Sequence, residues 1–148
     1  MKNLEIIPVD GDDPQMVDAM QQARGTFAEF RGEVEADWRR LIPVIQSSMV
    51  KAYFADPEDP DHGEHLWVQY EGFTNEMIHG TLMSQPGHVK SVTQGDAVSF
   101  PLARLSDWLY VEDNTAHGAF TVLLLRTRMT AEEREQHDDG YPFRFQEK

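Results

Sequence analysis

The sequence predicts an α+β fold: N-terminal helices packed on a strongly twisted antiparallel sheet of about five strands, with a C-terminal helix. Three observations predict it. Met16, Met20, Ala23, Phe27, Phe30, Val34 and Leu41 recur at the spacing of one apolar helix face. Two β-type runs, 49–55 and 66–71, are separated by residues 56–63, whose prolines and acids cannot continue a sheet. Residues 95–111 then hold a turn, a strand, a second turn and an aromatic strand, with Val98, Phe100 and Leu102 alternating against Ala97, Ser99 and Pro101.

In chain order, Leu4, Ile6 and Pro8 suit a short edge strand, and a loosely held terminus suits them equally. Asp13-Pro14 starts a helix, with a carboxylate at the N-cap and proline where a missing N–H costs nothing. Gly25 ends that helix, and Thr26-Phe27-Ala28-Glu29 reads as a capping box opening a second. Trp38 and Leu41 extend the second helix before Pro43, with Arg39 and Arg40 in its last turn, where positive charge suits the dipole.

The two β-type runs form a hairpin around the long acidic loop. Residues 71–75 make a shorter turn into a third strand, 76–83, so a three-stranded antiparallel meander is the simplest topology. After the aromatic strand and a turn at 112–115, residues 117–126 are apolar without clean alternation. They suit a buried strand or a helix, and the helix places Phe120, Leu123 and Leu124 on one face. Thr130-Ala131-Glu132-Glu133 is a further capping box, opening a short helix that ends near Gly140, and Tyr141, Phe143 and Phe145 pin the tail to the core.

Composition bounds the function. A chain of 148 residues is the length of one domain, 1–148, able to bury roughly 70% of its unfolded surface. It shows no internal repeat or interdomain linker. Thirteen basic against 26 acidic residues leave a net charge of −13, which repels nucleic-acid phosphates and anionic lipid heads and suits a basic protein partner. The chain has no cysteine, hence no disulfide, thiolate metal site or cysteine nucleophile. The first ten residues are too short in apolar character for a secretory signal and no window approaches a membrane span, so a cytoplasmic location is expected.

A set of motifs runs through the sheet region: Glu64-His65-Leu66-Trp67-Val68, Gly80-Thr81-Leu82, 95–100, Ser106-Asp107-Trp108-Leu109-Tyr110-Val111 and Gly118-Ala119-Phe120-Thr121. In this order they resemble the YegJ-like family of uncharacterised bacterial proteins, a domain of unknown function. The resemblance covers about residues 16–128, leaving a C-terminal helix and tail at 129–148. Its most specific part is the Glu-His-x-Trp and Asp-Trp-x-Tyr pair. It implies a small bacterial α+β domain and supplies no activity, ligand or catalytic residue. The long acidic stretch 56–63 and the helical character of 35–43 depart from the family pattern.

The same motifs carry the candidate chemistry. Glu64 beside His65 has the makings of an acid/base pair, since a carboxylate orients an imidazole and raises its basicity. The structural alternative is that Glu64 closes the acidic loop and His65 makes a hydrogen bond at the strand start. Asp107 either joins a pocket or caps a turn, and Trp108 and Tyr110, with Trp67 nearby, either floor that pocket or belong to the core. His62, Glu64 and His65 with Asp59 or Asp61 resemble no helical zinc signature, and Pro57 and Pro60 break the calcium-loop pattern, so no metal is expected. Glycine loops for phosphate and serine-hydrolase elbows are absent, and no cofactor is expected.

Two functions follow. The favoured one is a non-enzymatic, immunity-like binding module that docks a basic protein partner. The alternative is a small-ligand sensor or hydrolase-like enzyme with a pocket around Glu64, His65, Trp67, Asp107, Trp108 and Tyr110.

Overall fold

A computed structural model describes residues 13–146. The edge strand expected at 4–9 lies outside the described residues. Two helices come first, α1 (Pro14–Gly25) and α2 (Phe27–Trp38). Asp13 caps α1 as the sequence predicts, its carboxylate accepting the Gln15 and Met16 N–H groups. Thr26 does not cap α2. Its hydroxyl instead donates back to the Gln22 carbonyl at 2.6 Å, satisfying an orphan acceptor at the end of α1.

The helices cover a seven-stranded sheet: β1 (Ile45–Phe54), β2 (Glu64–Thr74), β3 (Met77–Leu82), β4 (Ala97–Pro101), β5 (Leu105–Glu112), β6 (Thr115–Gly118) and β7 (Arg144–Phe145), in the order β4-β3-β2-β1-β5-β6-β7. The α+β class holds, and the strand count exceeds the expected five because β6 and β7 are too short to show alternation. β7 pairs with β6 in parallel, so the sheet is mixed. The meander β1-β2-β3 is present, but its second turn lies later than 71–75. β2 runs on to Thr74, a register shift falls between Tyr70 and Gly72, and Asn75 and Glu76 turn the chain with φ of 52° and 63°.

The apolar stretch 117–126 divides. Its first residues finish β6, Gly118 and Ala119 turn with φ of 86° and 55°, and α3 (Phe120–Thr127) follows. The capping box at Thr130 and Glu133 then opens α4 (Ala131–Asp139), which buries none of its residues.

Alternation along the strands builds a core on each face. Phe27, Phe30 and Val34 of α2 pack with Val50, Leu66, Val68, Phe100 and Trp108; Met49, Trp67, Leu109 and Val111 face the other way, against Val122, Phe143 and Phe145. The apolar stripe of α2 does not reach Leu41. The helix stops at Trp38 because the buried Asp37 carboxylate accepts the N–H groups of Val44 (2.8 Å) and Ile45 (3.2 Å), drawing the chain round into β1. Those donors, Val44 first, hold the Asp37 carboxyl below its ordinary range against the opposing effect of burial.

Candidate functional site

Glu64 and His65 are consecutive on β2 and act in different places. Glu64 accepts the backbone N–H groups of Gly87 (2.7 Å), His88 and Val89 (both 2.8 Å), clamping the connection between β3 and β4 onto the start of β2. Partial burial alone raises a carboxyl, but these three donors more than offset it and Glu64 lies below the ordinary range. His65 places Nδ1 3.0 Å from Ser106 Oγ and packs edge-on to Tyr53. Burial, helped by the charges of Lys51 and Arg24, lowers its imidazole to about 4, so the ring is neutral at pH 7.

The antiparallel register sets Trp67, Lys51 and Asp107 side by side across three strands, and cross-strand partners share a face. Lys51 Nζ lies 5.2 Å from the Trp67 ring centroid and donates to Thr121 Oγ1 at 2.7 Å. Thr121 Oγ1 in turn donates to Asp107 at 2.5 Å. Asp107 also accepts the N–H groups of Trp108, Phe120 and Thr121, two of them at the start of α3, whose own N-cap residue Ala119 offers no side-chain cap. Burial pushes its carboxyl up, opposed by Lys51 and by Thr121. The Trp67 indole N–H is buried in this row without an acceptor.

Trp108 and Tyr110 project to the opposite face. Trp108 Nε1 donates to the Ala23 carbonyl and Thr26 Oγ1, both at 3.1 Å, and its ring lies 5.3 Å from Phe30. Tyr110 stacks on Trp108 and, at 4.9 Å, on His117. The fold therefore brings His65, Trp67 and Asp107 to one side of the sheet, sets Trp108 and Tyr110 on the other, and turns Glu64 toward the 87–89 backbone. None of the six lines the groove of about 740 Å³ between α1 and α3, floored by Ala19, Phe120, Leu123 and Leu124.

The acidic loop 56–63 is tied to its surroundings at Asp56, Pro60 and Gly63. Asp56 accepts the N–H groups of Lys90 and Ser91, and Tyr53 bridges the loop, donating to the Pro60 carbonyl (2.7 Å) and accepting from Gly63 N–H (2.8 Å). Glu58, Asp59 and Asp61 face solvent, and Asp59 pairs with His62 at 2.7 Å, raising that imidazole. Among the described residues, no cluster of three His, Asp or Glu side chains is placed to hold a metal ion, and no helix is long and apolar enough to cross a membrane.

Sequence reasoning assigned no role to Lys51, Thr121 or Asp37. Each left a trace: a lysine inside the apolar run of β1, a threonine within the Gly118-Ala119-Phe120-Thr121 motif, and an acid at a helix C-terminus, where the dipole disfavours it.

Comparison with known proteins agrees with the motif pattern. The model of a family described as an uncharacterised protein conserved in bacteria (DUF2314) matches residues 13–145. A Neisseria meningitidis serogroup B protein, named provisionally as an ankyrin repeat protein, is 37% identical over 128 residues, 86% of this chain and 51% of the relative. The chain thus spans about half the length of that relative. The uncharacterised protein YegJ of Escherichia coli K12 is 25% identical over 127 residues, 84% of this chain and 76% of its own. No solved structure matches significantly.

Proposed function

This chain belongs to the DUF2314 family of uncharacterised proteins conserved in bacteria, and on that footing we propose that it is a non-enzymatic binding module whose loop 56–63 docks a basic protein partner. The observation that carries the reading is the division of labour among the loop's acids. Asp56, with neighbouring Glu64, is occupied in fastening the loop to 87–91, while Glu58, Asp59 and Asp61 stand exposed on the fastened frame. A preorganised charged loop docks with little ordering cost and steers an oppositely charged partner at long range. The net charge of −13 works in the same direction.

The test compares two neutralised variants of equal charge at low salt. Glu58→Gln, Asp59→Asn and Asp61→Asn together abolish retention of the basic proteins that the wild type captures from its host extract. Glu132→Gln, Glu135→Gln and Asp139→Asn on α4 leave it intact. Equal loss from both sets would reduce the effect to net charge and end the proposal.

A second reading, a ligand sensor or hydrolase-like enzyme, keeps only His65, Trp67 and Asp107 of the expected residues, since the fold carries Trp108, Tyr110 and Glu64 elsewhere, and draws on one observation: the buried, unpartnered indole N–H of Trp67 in the row with Lys51 and Asp107. A ligand-dependent shift of that indole proton would favour it.

A further inference from the structure

An apolar tip protrudes where α2 passes into β1. Leu41 is 98% and Ile42 76% exposed, with Trp38 and Val44 about half exposed beside them. Single exposed apolar residues are ordinary; a contiguous group beside charged residues marks a contact surface. The tip is held in shape. Asp37 ties Val44 and Ile45 to the end of the helix and accepts from the Arg40 guanidinium at 2.7 Å, while Trp38 stacks on Tyr70 at 5.7 Å.

The charges next to the tip indicate what covers it. Arg39 leaves the C-terminal end of α2, and Glu29 and Glu33 lie on the exposed side of the same helix. Among the described residues, none of the three side chains makes a hydrogen bond or close ion pair within the chain, and the Arg39 charge is felt only at a distance, by Glu35. An element with a basic end and an acidic flank is complementary to its own reversed copy. Two α2 helices crossing antiparallel near Ala36 set Arg39 of each chain against Glu33 of the other, and bring Leu41 and Ile42 onto the exposed Ala28 methyl group and the bare backbone of Gly32.

We propose that the chain forms a twofold homodimer in which α2 and the Leu41–Ile42 tip of one copy dock antiparallel on those of a second copy. The interface leaves the acidic loop 56–63 free, because the ten residues of β1, roughly 30 Å of extended chain, separate the two. Self-association therefore adds to partner docking and stands or falls separately from it.

Sedimentation equilibrium of the full chain tests this in ~0.15 M salt, where repulsion between two acidic chains is screened beyond about 8 Å. A dimer is expected at micromolar concentration, and Leu41→Asp with Ile42→Asp gives a monomer with an unchanged circular-dichroism melt. Arg39→Glu and Glu33→Arg each weaken the dimer about tenfold, and combining them restores it. A wild-type chain still monomeric at roughly 100 µM overturns the proposal, including one that instead sediments with phosphatidylcholine vesicles. A dimer indifferent to the tip substitutions, or a charge swap without rescue, overturns it as well.

Discussion

Asp107 on β5 grips Thr121 on α3 twice, through its backbone N–H at 3.0 Å and its hydroxyl at 2.5 Å, and so caps a helix that begins thirteen residues later at Phe120. Because Asp107 is fully buried, removing the carboxylate leaves the Phe120 and Thr121 N–H groups and the Thr121 hydroxyl without their acceptor, and takes away a group that interacts with the Lys51 charge. Asp107→Ala is expected to destabilise the fold by about 3–5 kcal/mol. Asp107→Asn keeps one acceptor oxygen and costs about 1–3 kcal/mol. The urea midpoint, at constant slope, measures both.

His65 makes stability pH-dependent in a defined window. Its folded value of about 4 lies below the unfolded 6.5, so between these limits the unfolded chain binds a proton that the folded chain refuses. Its contribution is fully present above pH 6.5 and declines as pH falls toward 4, by up to about 3 kcal/mol. His65→Gln flattens this part of the profile, and the imidazole proton shifts of the native protein should titrate near 4 rather than near 6.5.

Two glycines with positive φ separate backbone strain from crowding. A Cβ on Gly118 would lie 2.4 Å from the Trp108 ring and 2.5 Å from its carbonyl oxygen, whereas around Gly95, φ 94°, the space is open. Gly95→Ala is expected to cost about 1 kcal/mol from the left-handed backbone alone. Gly118→Ala adds displacement of a core tryptophan, for a total of about 3 kcal/mol or more, resolved by comparing thermal unfolding of the two variants.

The two threonines of the predicted capping boxes should respond differently. Thr130→Ala removes a true cap from a helix that contributes little beyond His137 to the core, costing about 1 kcal/mol locally. Amide exchange within 131–139 then accelerates about fivefold while global stability holds. Thr26→Ala withdraws an acceptor from the Trp108 indole, so its cost of about 1 kcal/mol appears in global unfolding instead.

Local signals were read well where the local interaction is also the one the fold uses. The Asp13-Pro14 start of α1, the Thr130 and Glu133 box, and the alternation through β4 depend on neighbours within a few residues, and the structure has them, except that Leu102, expected to continue the alternation, opens a 3-10 turn after Pro101. Thr26 carried the same signature as Thr130 and went elsewhere, because an adjoining helix end and the Trp108 indole, 82 residues away, compete for its hydroxyl. Leu41 fitted the helical stripe and is exposed, because Asp37 bonds to backbone seven and eight residues ahead of it.

The sequence by itself determined the α+β class, the family and the net negative charge of the chain, since periodicity, motif order and charge need no knowledge of distant contacts. Tertiary structure alone decided what the motif residues do. Strand register placed Trp67, Lys51 and Asp107 in one row, strand alternation turned Trp108 and Tyr110 away from it, and the fold delivered α3 to Asp107 and the 87–89 backbone to Glu64. A buried polar group takes whichever partner the packed chain brings within reach, and that partner is set by pairing across the sheet rather than by spacing along the chain.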